Sequence, residues 1–222
     1  CHNGKVTRVT FRNVPAFAMH LDRVIEVAGF GDIRVDVAWG GMFYVIAEAA
    51  QFGLEISADA GADLVRASEA MRAAAAEQLP VVHPDNPQIS GPSIAQLTAL
   101  PPQGSPYDGL GAVTVSTGTF DAQRPNALTG VLDRSPCGTG TCAKMAVLHA
   151  RGQLGVGQDY VNVGPMGTTF TGWIEDTTRV GPYPAIIPSL SGQGWIYGTG
   201  QVMRDPTDPF PNGYKIGDIW GS

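Results

Sequence analysis

Long apolar runs are the first thing this 222-residue sequence lacks. None approaches the roughly 18 residues a helix needs to cross a bilayer, so no membrane-spanning helix is expected. The opening residues, CHNGKVTRVTF, have no signal-peptide pattern, so nothing directs the mature chain out of the cell. Basic residues are scarce: 14 Lys and Arg against 20 Asp and Glu give a formal charge of −6, with no Lys/Arg cluster anywhere. A nucleic-acid binder normally presents a basic face, and that class is set aside. Cysteine is limited to three, in no metal-binding spacing. An odd thiol fits a reduced cytosolic setting better than a disulfide framework. Internal repeats and low-complexity tracts are also missing. What the chain does have is 43% hydrophobic residues, 29 glycines and 17 prolines, enough apolar content for a core with many turns. A strand-rich α/β protein is expected.

Alternation in KVTRVTFR (5–12) predicts a strand. RVIEVAG and DIRVDVAWGG flank the turn Phe30-Gly31-Asp32 as a β-hairpin, and MFYVIAEA continues as a strand past Gly40-Gly41, a pair that marks a bend between domains. From Asp59 to Gln78, Leu64, Val65, Met71 and Ala75 recur with Leu79 at helical spacing, with Ser57 or Asp59 as cap and Pro80 as stop. Residues 83–111 are Pro/Gly-rich and read as containing a long surface loop, followed by the strand AVTVSTGTF (112–120). A second helix is expected from near Thr141 to about Ala150, with Met145 and Leu148 inward and Gly152 as its stop. TTFTGWIE, YPAIIPSL and GWIYGTGQVM then read as strands of a closing sheet.

The chemistry concentrates in DRSPCGTGTCAKMAVLHARG (133–152). Gly138, Thr139, Gly140 and Thr141 lead into the helix, where glycine allows a ligand close to the backbone and the first turn offers unpaired N–H groups. Those amides and the helix dipole suit an anion such as a carboxylate, and a thiolate at Cys137 would be stabilised at the same place. Asp133, four residues earlier, is placed to pair with an ammonium. Together they would hold both ends of an α-amino acid with a thiol beside its Cα. The plainer alternative is a small buried cysteine beside glycines that only begin a helix. GTGT also has a superficial likeness to nucleotide loops, but no GxxxxGK[ST] pattern is present.

DRSPCGTGT resembles the segment around the second catalytic cysteine of the proline racemase family, which includes 4-hydroxyproline epimerases. The resemblance continues through KMAVLHARGQL, GTTFTGWIE and TRVGPYPAIIPSLSGQGWI, and upstream through VTRVTFRNVPAF and RVDVAWGGMFY. It implies an α/β fold of two similar halves, each a mixed sheet around a central helix, of the diaminopimelate-epimerase type, with the active site between them. On that pattern 1–40 with about 195–222 belong to the N-terminal half, and 41–194 form the C-terminal half. It further implies a cofactor-independent racemase or epimerase in which two thiols act on opposite faces of the substrate Cα. Cys137 matches the second thiol, Asp133 the contact to the substrate amine, and the amides of Gly138 and Thr139 part of the carboxylate cradle.

The first cysteine of the family lies in an MCGH-type motif, and this sequence has none. Cys1 directly precedes His2 and stands upstream of VTFRNVP, which should follow the motif by many residues, so Cys1 is not read as the missing base. The chain therefore reads as the C-terminal two-thirds of a family member, with its first half incomplete. A fragment, a cleavage product or one subunit would each fit, and an N-terminal partner would supply the second thiol. Proline-specific members carry an aromatic residue shortly before the Asp of DRSPC; Asn126 to Gly130 contain none, which favours 4-hydroxyproline over proline. A non-catalytic binder of cyclic amino acids and a 3-hydroxyproline dehydratase are the alternatives, although dehydratases of this family usually carry threonine at the position of Cys137. Of the remaining residues, Cys142 reads as packed, His149 as a partner of the helix dipole, and His83 as the start of a loop, with a substrate contact as the lesser alternative. His2 and His20 have no partner in sequence, and Trp39, Trp173, Trp195 and Trp220 read as core. No metal, flavin, nicotinamide or pyridoxal phosphate site is expected.

Overall fold

The computed structural model describes residues 5–124 and 127–211. Its centre is a mixed sheet of ten strands. The chain enters on β1 (Val9–Arg12) and then forms the long hairpin of β2 (Phe17–Val27) and β3 (Gly31–Trp39). The hairpin turn falls at residues 28–30, two residues earlier than the sequence suggested. Gly29 (φ 83°) and Gly31 (φ 76°) take the left-handed conformations that close it. β4 (Phe43–Glu48) pairs antiparallel with β3 across Gly40-Gly41, so the sheet runs on unbroken there.

Helix α1 (Gly61–Gln78) fits the expected apolar spacing and ends just before Pro80. Neither predicted cap serves it: Ala60 is the N-cap, and the Ser57 hydroxyl accepts the Ala60 N–H at 3.3 Å. The loop expected within 83–111 is there but short, because strands take most of that stretch. A small ribbon of β5 (Val81–His83) and β6 (Asn86–Gly91) is followed by β7 (Ile94–Ala99), a central strand parallel to β4 and antiparallel to β8 (Gly109–Ser116). Gln96 and Thr98 hide β7 from a hydropathy reading, yet both are buried. The loop shrinks to 100–108.

After β9 (Gly130–Leu132), helix α2 (Gly138–Ala150) begins three residues before the expected start at Thr141. Gly152 (φ 70°) follows it and donates to His149 O, as a helix stop should. Met145 is fully buried, and Leu148 packs against the core. β10 (Asp159–Val163), β11 (Thr169–Val180) and β12 (Tyr183–Gly192) complete the sheet, in the order β1-β12-β11-β10-β8-β7-β4-β3-β2 with β9 on β8. Residues 194–203, expected as a strand, form none. Ile196 and Tyr197 there are 80% and 97% exposed, so no buried face exists to hold a strand in register.

The period-two alternation of β4 sorts the layers. Phe43, Val45 and Ala47 pack with Leu64, Ala67 and Met71 of α1, while Tyr44 and Ile46 pack with Ala143 and Val147 of α2. The helices therefore cover opposite faces, and the middle strands are buried on both sides. β12 also meets the start of β2 through the Ala16–Ile186 bridge, curling the sheet around α2. Among the described residues no helix is long and apolar enough to cross a membrane.

Candidate active site

Cys137 stands at the N-cap of α2, half-buried, with φ 61° and ψ 127°. A non-glycine residue held at positive φ is strained by about 1–3 kcal/mol, so its surroundings must hold it there. They do so at both ends. The Cys137 carbonyl accepts the Thr141 hydroxyl at 2.7 Å and the Thr141 N–H at 3.0 Å, and Asn162 Nδ2 donates to Thr141 Oγ1 at 2.9 Å. The Cys137 N–H donates to Ser135 Oγ at 3.2 Å, and Ser135 in turn donates its N–H (2.9 Å) and hydroxyl (3.0 Å) to Asp133 Oδ1. Ser135 thus links the two predicted site residues. Its signal in the sequence is the spacing D-x-S-x-C, which suits an Asp side chain bonding two residues ahead.

No side chain caps α2, and the amides of Gly138 and Thr139 lie in its first turn, where helix N–H groups have no partner within the helix. Asp133 uses one carboxylate oxygen for Ser135; Oδ2 has no hydrogen bond to the described residues. The four predicted residues Asp133, Cys137, Gly138 and Thr139 therefore share one loop and the first turn of one helix, all half-buried.

One residue that sequence reasoning missed reaches the thiol from across the fold. The Tyr44 hydroxyl of β4 lies 3.3 Å from Cys137 Sγ and 2.6 Å from Thr139 Oγ1. Tyr44 is fully buried, and desolvation, with the nearby Cys137 and Asp133, pushes its ionisation above the ordinary tyrosine range. It stays a neutral hydroxyl. The corner before it is fixed by Gly40, where a side-chain methyl would come within 2.1 Å of Thr139 O and 2.5 Å of Ala143 N.

The other candidates separate from this cluster. Cys142 is fully buried, and desolvation pushes its thiol up to about 12. His149 bonds the Leu154 carbonyl at 2.8 Å, which gives it a structural role. His83, half-buried, packs edge-on against Phe17 and Trp39, core residues on the α1 face, apart from the cluster at Cys137. Burial, with Arg23 nearby, lowers the ionisation of His20. Trp39 is core as expected, but Trp195 is 61% exposed, and Trp173 lies under the Arg8 guanidinium. Cys1, His2, Asn126 and Trp220 lie outside the described residues. Among the described residues no cluster of His, Cys, Asp and Glu is arranged to hold a metal.

Two cavities lie near the loop and the far end of α2. A groove of about 1120 Å³ opens beside the loop at Arg134 and Ser135, walled also by Arg8, Phe170 and Trp195. The other, about 240 Å³, lies near the far end of α2 among Asp22, Asp36, Glu48, Lys144 and Arg151. There Arg151 bridges Asp22 (2.9 Å) and Asp36 (2.8 Å), tying β2 and β3 to the helix.

The proline racemase family model matches residues 1–215. The chain belongs to the proline racemase family. Two solved structures agree. A probable proline racemase from Agrobacterium radiobacter K84, with bound carbonate, and a hydroxyproline epimerase from Agrobacterium vitis, with bound trans-4-hydroxy-L-proline, are each 34% identical to this chain with a TM-score of 0.79. Both matches cover the whole of this chain, which spans 61% and 60% of those two family members. The mixed α/β fold, one large sheet with few helices, is the fold of these relatives.

Proposed function

We propose that the chain carries one face of a cofactor-independent amino-acid racemase or epimerase, with Cys137 as the group that takes or returns the α-proton. The observation that carries the reading is the placement of the Cys137 thiol at an uncapped helix start, linked through Ser135 to an Asp133 with one free oxygen. A zwitterionic amino acid matches that pattern, with its carboxylate on the amides of Gly138 and Thr139 and its ammonium on Asp133. The α-proton of an amino acid is far less acidic than a thiol, so the developing carbanion needs electrostatic stabilisation. Amides fixed in place ahead of the reaction supply it without reorganisation. Proton transfer by a positioned side chain within reach of the reacting carbon is the role assigned to the Cys137 thiol.

4-Hydroxyproline is the favoured substrate, with proline second. The related epimerase holds trans-4-hydroxy-L-proline, and the residues shortly before Asp133 offer no aromatic side chain to close the pocket. Inversion needs a second thiol on the opposite face. Cys142 is unsuited, being fully buried, so the second base is assigned to a partner chain or segment carrying an MCGH-like cysteine. The two described thiols are free, in keeping with a reducing cytoplasmic setting. Binding without turnover is the second reading, favoured by the presence of one accessible thiol among the described residues.

Titration calorimetry with trans-4-hydroxy-L-proline and L-proline tests the ammonium contact. Asp133→Asn should keep the fold and weaken binding by roughly 1.5–3 kcal/mol, the worth of a charge-assisted hydrogen bond in a shielded site. Unchanged affinity would show that Asp133 does not meet the amine.

A further inference from the structure

Tyr44 lies 93 positions before Cys137, on another element, yet its hydroxyl is the polar group that β4 brings to the thiol. Three polar atoms meet there: Tyr44 Oη, Thr139 Oγ1 at 2.6 Å from it, and Cys137 Sγ at 3.3 Å from Tyr44 and 3.8 Å from Thr139. Tyr44 has one proton to donate and two acceptors in reach. Which one receives it depends on the charge of the sulfur.

We propose that Tyr44 is a positioning residue for Cys137, acting with the Thr139 hydroxyl as a hydrogen-bond pair that reverses direction when the thiol gains or loses its proton. When Cys137 is a thiolate, sulfur is the strongest acceptor; Tyr44 donates to Sγ, and Thr139 donates to Tyr44 Oη. When Cys137 is a thiol, Tyr44 turns its proton to Thr139 Oγ1, and the S–H is free to point at Tyr44 Oη or at a substrate carbon. Only hydroxyl hydrogens rotate, and none leaves its oxygen. Tyr44 is fitted to this by its burial, which keeps it neutral. The carbanion therefore faces a sulfur whose lone-pair direction is set from behind by Tyr44. This gives the Thr139 side chain a role separate from that of its amide.

The titratable groups coupled to the pair are Cys137, Asp133 and, behind the loop, Cys142. Among the charged groups of the other elements packed on α2, Glu48 of β4 pairs with Lys144 of the helix at 3.6 Å. Asp22 of β2 and Asp36 of β3 bind Arg151 at the far end, and Glu175 of β11 bonds Ser189 of β12 and faces Arg12 of β1.

The inference rests on the reading of Cys137 as the reactive thiol, but its test needs no substrate. The rate of iodoacetamide alkylation at Cys137, resolved by peptide mass spectrometry, is followed against pH for the wild-type chain, Tyr44→Phe, Thr139→Val and Thr139→Ser. Losing a hydrogen bond to a charged acceptor should move the midpoint of the Tyr44→Phe profile up by about one pH unit, making alkylation about tenfold slower below it. Thr139→Val should shift it less in the same direction, and Thr139→Ser should restore the wild-type profile. A Tyr44→Phe profile superimposed on wild type overturns the proposal. So does an unshifted Thr139→Val profile, which covers the case of a Tyr44 variant that fails to fold. A chain that alkylates as expected yet exchanges no substrate α-proton would remove the catalytic reading and leave the Tyr44 assignment standing.

Discussion

Gly40→Ala should damage the fold and the site together. β3 ends at Trp39, and the chain turns through Gly40-Gly41 against the first turns of α2. A methyl at Gly40 would sit 2.1 Å from Thr139 O and 2.5 Å from Ala143 N, against the 3.4 Å at which ordinary contact begins. Both obstacles are helix backbone and cannot rotate away, so the corner or the helix must move by about an ångström. That displacement exceeds the slack in the 2.6 Å bond between Tyr44 and Thr139, and it pulls Gly40 O from the Asn13 amide that now donates to it at 2.8 Å. Overpacking costs about 1–3 kcal/mol, and two weakened hydrogen bonds cost about 1 kcal/mol each, for a total of roughly 3–5 kcal/mol. The assay is a urea unfolding midpoint, with Gly194→Ala as a control because a methyl there meets nothing within 4 Å. Stability of Gly40→Ala within about 0.5 kcal/mol of wild type would refute the packing described for this corner.

Iodoacetamide near neutral pH should label Cys137 much faster than Cys142, since the first is half-buried at a helix start and the second is fully enclosed; equal rates in the folded chain would remove the assignment. Cys142 should also make stability fall with alkaline pH. Burial raises its folded ionisation from 9.0 to about 12, so its contribution is complete below pH 9 and is lost as pH rises toward 12. At about pH 10.5 wild type should have lost roughly 2 kcal/mol more than Cys142→Ala, each measured against its own value at about pH 8 by urea unfolding. Parallel pH profiles would show that Cys142 is not enclosed.

Local signals were legible in the sequence, and long-range ones were not. Gly138 to Thr141 ahead of an apolar periodic run marked a helix start, and its neighbours Asp133 and Cys137 needed only loop geometry to meet. α1 was readable because Leu64, Met71 and Ala75 repeat on one face and Pro80 forbids extension. β7 was missed because Gln96 and Thr98 read as loop when hydropathy alone is weighed, although their side chains are enclosed between sheet and helix. The opposite error came from 194–203, whose Trp195, Ile196 and Tyr197 suggest a strand but find nothing to pack on. Tyr44 sat in a strand that was recognised, but its approach to Cys137 depends on the register of β4 and on the packing of Gly40 against α2. No local pattern encodes that pairing.

The role of Cys137 at Cα is tested most directly by proton NMR of trans-4-hydroxy-L-proline and its α-epimer in deuterium oxide with the purified chain. The expected result is replacement of the α-proton by deuterium in the epimer whose proton faces Cys137, without inversion, and loss of that exchange in Cys137→Ala. Exchange that survives in Cys137→Ala, or no exchange with the wild-type chain, would contradict Cys137 as the acid–base group.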